Sequence, residues 1–479
     1  MLKINPTKSS SFNHKLYEIG TLLVFVFSLF LWNAPEIIRC LFQACGTDER
    51  NFQFEGLIWY SFFISGINFL LHTSNYSNIS IAFVVLTAFI SFLLIVWLDN
   101  DYSNVFAARV ISLTELFLII TFLTKNLLVF FICFELSSLP IFYILAFHGP
   151  SFRKNKALYY FIKYTIIGSS FLLVGIFSLY SNFHTWDVNK MNTDLLLDHE
   201  KIIIWLCFFI AFSIKVPIYP FHLWLLEAHV EAPTVGSVIL AALLLKVGGY
   251  GLIKYCVAFF PAVSASFAPI VVTIGLISML YSAIGVFIQL DIKRAIAYSS
   301  ISHMNAALVG LFSSTSLGIK GAIAGMIAHG FTSAGLFFLA GILYQIFHTK
   351  NTLYLSGILN RMPLFAFFLL FFSFSNAGFP GSFNFVCEVL LIIGTFQYSL
   401  IAGLYMTLGT SILFIYFIWL ASFICFHQTN INYLAKARDI STKHFFILTC
   451  LLIPIVYFGF TSEIMYFLQY ANFADITKL

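Results

Sequence analysis

Residues 215–251 read KVPIYPFHLWLLEAHVEAPTVGSVILAALLLKVGGYG, an apolar tract with Lys215 at its start and Lys246 near its end. A charged side chain near the bilayer midplane costs about 2.5 kcal/mol or more even on lenient insertion scales. Such a residue persists mainly where a partner or enclosed water compensates its charge. Two lysines in one apolar tract therefore predict proton handling inside a membrane.

The composition of the whole chain favours the same environment. Of its 479 residues, 60% are hydrophobic and 9% are charged, and the mean hydropathy is +0.93. Apolar runs near the length of about 20 residues that crosses a bilayer recur along the chain, separated by short polar loops. The sequence therefore predicts an all-α polytopic membrane protein without room for a soluble domain.

Segmentation of these runs predicts about fourteen transmembrane helices. The first is the least regular, because Glu36 and Arg39 interrupt it, although this i, i+3 pair can neutralise itself on one helix face. The predicted spans lie near residues 20–40, 55–72, 75–97, 106–124, 127–147, 157–180, 202–226, 234–257, 268–289, 294–313, 320–344, 363–395, 400–425 and 445–468.

Two of these spans, the seventh and the twelfth, contain helix breakers in their interiors. The seventh has Pro217 and Pro220, and the twelfth has Gly378, Pro380 and Gly381. Proline removes a backbone hydrogen bond and clashes with the preceding turn. Both helices are therefore predicted to be discontinuous.

Paired breaks five spans apart are typical of transporters built from inverted repeats, where the freed backbone lines an ion or substrate site. Simple proline kinks are the alternative, but each break lies beside an intramembrane charge, Lys215 or Glu388. We therefore predict two inverted five-helix repeats. The predicted parts are a tail with three spans (1–105), the first repeat (106–257), the second repeat (268–425), and a loop with the last span (426–479).

Four further motifs precede or follow the opening tract, and a fifth forms its end, all in a fixed order. They are FFICFELSSLP around Glu135, LLLKVGGYG around Lys246, DIKRAIAYSSISHMN around His303, GMIAHGFTSAGLFFLAG around His329 and GFPGSFNFVCE around Glu388. Together with the opening tract they resemble the antiporter-like proton-pumping subunits of respiratory complex I and of multisubunit sodium/proton antiporters. The resemblance covers about residues 105–425.

The resemblance implies roles for six residues in proton transfer. Glu135 of the fifth span pairs with Lys215, and protons pass from Lys215 through Lys246, His303 and His329 to Glu388. In this family the twelfth-span charge is typically Glu in subunit 4 of complex I and Lys in its complex I relatives, which include subunits 2 and 5. Glu388 therefore favours the subunit 4 branch.

The resemblance also implies where the redox chemistry lies. NADH, FMN, iron–sulfur clusters and ubiquinone would be bound by other subunits of the complex, and this chain would hold no cofactor and no metal. Its partners would be other membrane-arm subunits, including subunits 2 and 5, together with lipids and protons. The implied location is the mitochondrial inner membrane, and an excess of phenylalanine, 59 residues, suggests an AT-rich organellar gene.

Other classes of site have little support in the sequence. The eight cysteines form no CxxC or CxxCH, no nucleotide-binding glycine motif occurs, and no basic face with stacking aromatics indicates nucleic-acid binding. His222 and His229, with Glu227 and Glu231 nearby, lack an HExxH spacing, so metal binding is not expected. Glu115, inside the fourth span, matches no family charge and is expected to be a packing or water-facing acid.

Two alternatives to a complex I subunit stay open. A sodium/proton antiporter would share the charged spans and broken helices without requiring NADH oxidation. A non-conducting scaffold would keep buried charges only for helix registration, and His303 and His329 would then merely bond between helices.

Overall fold

The computed structural model describes residues 78–98, 102–148, 153–427 and 438–461. The predicted spans near 20–40 and 55–72 lie outside these residues, as does the end of the last one. The chain divides into two compact units, Met1–Tyr76 with Leu98–Ser112, and Ser77–Trp97 with Leu113–Leu479. Within the first unit the structure describes residue 98 and residues 102–112, which begin a helix. This helix continues into the second unit, to which the helices described below otherwise belong.

The described residues fold into helices joined by short loops. The helices before residue 260 are α1 Asn78–Trp97, α2 Tyr102–Leu123, α3 Leu127–Leu136, α4 Leu139–His148, α5 Lys154–Phe183, α6 Asp198–Lys215, α7 Leu223–Glu231 and α8 Thr234–Ala258. The later ones are α9 Pro261–Val286, α10 Ile292–Phe312, α11 Ser316–Phe347, α12 Pro363–Asn376, α13 Phe383–Tyr398, α14 Leu400–Phe426 and α15 Thr442–Phe460.

The all-α membrane class is confirmed for the described ranges. They contain two isolated β-bridges and no strand, and nine of their helical segments are long and apolar enough to cross a membrane. Because two predicted spans lie outside these ranges, the total of fourteen stays a prediction.

Both predicted helix discontinuities are confirmed. Residues 216–222 separate α6 from α7, and residues 377–382 separate α12 from α13. The second break contains Gly378 at φ 76° and Gly381 at φ 90°, backbone conformations that L side chains rarely adopt. Across the first break, the Trp224 indole donates to the Ile214 carbonyl at 2.8 Å, which satisfies an acceptor that the helix no longer uses. The inverted relation of the repeats and their limits stay predictions.

Three irregularities beyond these breaks were not predicted. Ser137 and Ser138 form a turn that separates α3 from α4, two residues after Glu135. Two segments of α8, Leu240–Leu244 and Leu252–Ala258, are π-helical and lie on either side of Lys246. Single π-turns inside α-helices occur frequently at functional sites. The irregular backbone therefore gathers around the ionisable residues.

Burial separates the central helices from the outer ones. In the most apolar stretches of α8 and α11, 100% of the residues are buried, whereas in those of α5 and α15 only 28% and 22% are. The outer helices present apolar side chains to their surroundings, as a lipid-facing or partner-facing helix does. Lys246 on α8 and His329 on α11 therefore lie on the two most enclosed helices.

Close packing between α8 and the first break gives a testable prediction. A Cβ at Gly248 would lie 2.8 Å from the Lys215 Cβ and 3.1 Å from the Val216 amide nitrogen, neither of which can swing away. We expect Gly248→Ala to destabilise the assembled protein by about 1–3 kcal/mol through overpacking. Thermal inactivation of the purified native assembly measures this change.

The control is Gly325→Ala, because a Cβ there would meet its nearest neighbours, on Cys387 and Leu391, at an ordinary 3.8 Å. Equal inactivation temperatures for the two variants would contradict the close contact at Gly248.

Candidate proton-transfer site

Glu135 and Lys215 face each other from α3 and α6. Lys215 is 4% exposed, and its ammonium lies 4.7 Å from the centroid of the Phe134 ring, a cation–π contact. The Glu135 and Lys215 charges interact electrostatically. Among the ion pairs closer than 4.0 Å in the described residues, however, this pair is absent, and Glu135 Oε1 has no hydrogen-bond partner. The two charges are coupled but not in contact.

Lys246 is 1% exposed and is held by two partners. Its Nζ donates to the Ala241 carbonyl at 2.7 Å and lies 2.8 Å from His329 Nδ1. An ammonium group has donors and no acceptor. While Lys246 is protonated, His329 Nδ1 must therefore accept, which assigns the ring proton of a neutral His329 to Nε2.

A second histidine continues the cluster towards α13. The rings of His329 and His303 have centroids 5.7 Å apart, and His303 Nδ1 lies 3.7 Å from Glu388 Oε1. The Nε2 atoms of both histidines are buried and have no partner. Lys246, His329, His303 and Glu388 thus form one buried row of groups that can gain and lose protons.

The second helix break shapes the Glu388 end of this row. A Cβ at Gly378 would overlap the Glu388 carboxylate, so the carboxylate lies directly against the broken backbone. Only glycine permits both this approach and the positive φ. The break therefore positions the acid as well as interrupting the helix.

The six predicted residues fall into two groups. Lys246, His329, His303 and Glu388 are in mutual contact or near contact, whereas Glu135 and Lys215 form a separate coupled pair. The two groups adjoin where the backbone of α8 at Gly248 packs on Lys215. Their roles in proton transfer stay predictions.

His229 is a buried group whose position was not anticipated. Its ring stacks on Phe337 with centroids 4.7 Å apart, and both its nitrogens lack hydrogen-bond partners. It interacts electrostatically with Lys246 and Lys293. The sequence signal was present, since His229 lies in the opening tract, but its burial follows from the packing of α7 on α11.

The residues near the end of α7 form an ion network. Glu227 lies 3.4 Å from the Lys156 ammonium and 3.3 Å from the Arg294 guanidinium. Lys293 lies in the first turn of α10 and is buried, and its ammonium donates to the Ala232 carbonyl at 2.9 Å. Asp291 accepts from the Lys293 and Arg294 amides and caps that helix. These contacts fix the half-helix that follows the first break.

A metal site was not expected at the histidines and glutamates of α7. Within the described ranges no group of three or more His, Cys, Asp or Glu side chains is arranged to hold a metal ion. Glu227 is instead engaged by cations from α5 and α10.

Sequence and fold both relate this chain to known proteins. The family described as "NADH:quinone oxidoreductase/Mrp antiporter, TM" matches residues 124–415. NADH-ubiquinone oxidoreductase chain 4 of Chondrus crispus is 37% identical over 464 residues, 95% of this chain and 90% of that protein.

Two solved structures share the fold. A chain of respiratory complex I from Thermus thermophilus superposes with a TM-score of 0.75 at 24% identity, over 84% of this chain and 85% of that one. A chain of the Mrp complex from Dietzia sp. DQ12-45-1b gives a TM-score of 0.78 at 15% identity, over 96% and 98%. The chain belongs to the family of NADH:quinone oxidoreductase and Mrp antiporter membrane subunits.

Proposed function

We propose that this chain is the proton-translocating subunit 4 of NADH–ubiquinone oxidoreductase, respiratory complex I. It couples quinone reduction elsewhere in the complex to proton transfer along buried Lys, Glu and His side chains. The observation that carries this proposal is the row from Lys246 to Glu388, in which each group lies within about one water molecule of the next. The names of similar proteins, which are subunits of NADH-ubiquinone or NADH-quinone oxidoreductases, support the same function.

Glu135 and Lys215 form the control element of this mechanism. Two unit charges about 4 Å apart at an effective dielectric near 20 attract by roughly 4 kcal/mol. Closing the pair holds the proton on Lys215, and opening it releases that proton towards Lys246. In the structure the Glu135 and Lys215 charges are not in contact, which supports a pair that can open and close. While the pair is open, the Phe134 ring stabilises the Lys215 ammonium.

The histidines relay the proton from Lys246 to Glu388. An imidazole accepts a proton at one nitrogen and releases one from the other. His329 receives the Lys246 proton at Nδ1 and releases its own from Nε2 towards His303. His303 then delivers a proton from Nδ1 to the Glu388 carboxylate. The orphaned Nε2 atoms are the sites at which a bridging water would join the two rings.

The remainder of the enzyme belongs to other subunits. NADH, FMN, the iron–sulfur clusters and ubiquinone bind elsewhere in the complex, because the described loops are too short to form such domains. The chain is an organelle-encoded, multi-pass protein of the mitochondrial inner membrane. Its neighbours are membrane-arm subunits, including the antiporter-like subunits 2 and 5.

A sodium/proton antiporter subunit is the second candidate, favoured by the fold shared with the Mrp chain. It predicts sodium-dependent proton exchange without NADH oxidation. The acid at position 388, typical of subunit 4, favours complex I.

Replacement of Lys246 tests the row directly. We expect Lys246→Met to lower NADH-driven proton pumping at least about tenfold, because a positioned proton-transfer group contributes about 10²–10⁴-fold to rate. Proton release per NADH and NADH oxidation are measured on the intact complex in sealed vesicles.

Lys254→Met is the matched control for this variant. Lys254 is also a buried lysine of α8 that donates to a backbone carbonyl, that of Thr124 at 2.8 Å, but it does not contact His329. Unchanged pumping in Lys246→Met would overturn the proposed route. Exchange that requires sodium and persists without NADH would establish the antiporter.

The Glu388 end of the row is tested at Gly378. We expect Gly378→Ala to displace the carboxylate and lower the proton-to-electron ratio. Gly381→Ala is the control, because it has a similar positive φ but its Cβ would meet the Phe460 ring at 3.1 Å instead of the acid. Both variants strain the backbone of the break. If they assemble equally well and lose pumping equally, the contact with Glu388 does not matter.

The proposed neighbours are tested by cross-linking the native complex followed by mass spectrometry. We expect links from this chain to subunits 2 and 5, and to no subunit that binds FMN. Links to soluble redox subunits alone would contradict the proposed position in the membrane arm.

A further inference from the structure

Asn305 on α10 is a buried polar residue that the proposed route does not use. Its side chain is fully enclosed, and its Nδ2 donates to the Ile301 carbonyl at 2.8 Å and to the Pro217 carbonyl at 3.3 Å. Both neighbours are acceptors, so only the NH2 end of the amide can face them. The Oδ1 end has no hydrogen-bond partner among the described residues. An unpaired buried amide oxygen is costly, so the residue contributes through its two donor bonds and not through packing alone.

The Pro217 carbonyl belongs to the first helix break, two residues after Lys215. In a continuous helix this oxygen would accept from the amide four residues further on, that of Phe221. The Phe221 amide instead donates to the Ile218 carbonyl at 2.6 Å. The break therefore frees the Pro217 carbonyl, and Asn305 satisfies it.

Helix α10 also holds the edge of the second break. The Ser299 hydroxyl donates to the Ile296 carbonyl at 2.8 Å, which leaves its lone pairs to accept from Asn376 Nδ2 at 3.4 Å. Asn376 is the last residue of α12 and lies two positions before Gly378, against which the Glu388 carboxylate lies. One helix is thus hydrogen-bonded to both broken helices.

His303 lies between these two contacts along α10. Because an α-helix turns by about 100° per residue, Asn305 lies almost on the opposite side of the helix from His303. Ser299 precedes His303 by four residues and lies on the same side as the histidine. Helix α10 therefore stands between the first break and the row of proton-transfer groups.

The gap between His303 and Glu388 makes the position of α10 important. His303 Nδ1 lies 3.7 Å from Glu388 Oε1, beyond the range of about 2.7–3.2 Å for an N–H···O hydrogen bond. Helix shifts of about 1–2 Å are common in switching transitions, and a smaller one would close this gap.

Movement of the first break has a direct path to α10. When the break moves, the Pro217 carbonyl moves with it, and Asn305 either follows or loses its acceptor. Losing the acceptor leaves a second buried polar group of Asn305 unpaired, which is unfavourable. The lower-energy response is for α10 to follow the break.

We propose that Asn305 is a positioning residue for proton transfer, which ties the first break to α10 and thereby sets the distance between His303 and Glu388. Movement of the break passes through the Pro217–Asn305 hydrogen bond to α10. The state of the coupled pair then determines whether His303 reaches the acid. This inference rests on the proposed proton route, and it adds the physical link between the pair and the row.

Two substitutions of Asn305 in the intact complex cut this hydrogen bond. Asn305→Leu has a similar size but no donor. Asn305→Thr keeps a hydroxyl that can bond the carbonyl four residues back, but it is too short to reach Pro217. We expect each variant to lower the proton-to-electron ratio at least twofold. Each should also shift the protonated-carboxyl infrared band that appears on reduction by NADH and that Glu388→Gln removes. The threonine variant decides the test if the leucine variant fails to assemble.

Ser278→Ala is the matched control. The Ser278 hydroxyl accepts from the Tyr219 amide in the same break, but it lies on α9 and not on α10. Amide hydrogen exchange of residues 216–222 should rise in this variant and in the Asn305 variants. Exchange of residues 377–382 and the position of the Glu388 band should change only in the Asn305 variants.

The outcomes separate the role of Asn305 from the route itself. If Lys246→Met loses pumping while both Asn305 variants keep the band and the exchange of residues 377–382, the tie is overturned and the main route stands. If Lys246→Met pumps normally, the main route falls, and the positioning role falls with it. Equal band shifts in Ser278→Ala and Asn305→Leu would reduce Asn305 to general packing of the break.

Discussion

The free-energy cost of placing a charge in hydrocarbon governs this structure, and Lys246 shows its effect most directly. Its ammonium can only donate, so it requires acceptors inside the membrane. One is the Ala241 carbonyl, which lies in the π-helical segment Leu240–Leu244, where the backbone bonding pattern departs from that of an α-helix. The other is His329 Nδ1 on α11. The irregular backbone of α8 and the histidine on its neighbour thus serve the same charge.

The two broken helices satisfy a related requirement. A helix interior engages its backbone groups and keeps side chains at a fixed spacing, so an acid or a lysine gains freedom of placement only where the helix stops. Lys215 is the last residue of α6, directly before its break, and Glu388 lies against Gly378 within the other break. Each break thereby positions one ionisable group at an end of the proposed route.

Much of this arrangement could be read from the sequence. Prolines and glycines beside charges predicted both breaks. The resemblance to the antiporter-like family implied six residues for proton transfer, a role that stays a prediction. The turn at Ser137 and the π-helical segments of α8 carry no such local signal, because they contain ordinary residues and depend on tertiary packing. The burial of His229 depends likewise on which helices pack together, and so does the division of the six residues into a pair and a row. The periodicity of the sequence does not determine this packing.

Charge balance connects the pair of Glu135 and Lys215 with the row from Lys246 to Glu388. In a medium of low dielectric, a proton added to Lys246 creates a charge that a nearby carboxylate must offset. Glu135 offsets Lys215, to which it is electrostatically coupled. For Lys246 the acid of the row is Glu388, at the far end of the two histidines. A row with one lysine and one acid favours a single mobile proton, whose position on the lysine requires that the acid has given its own away.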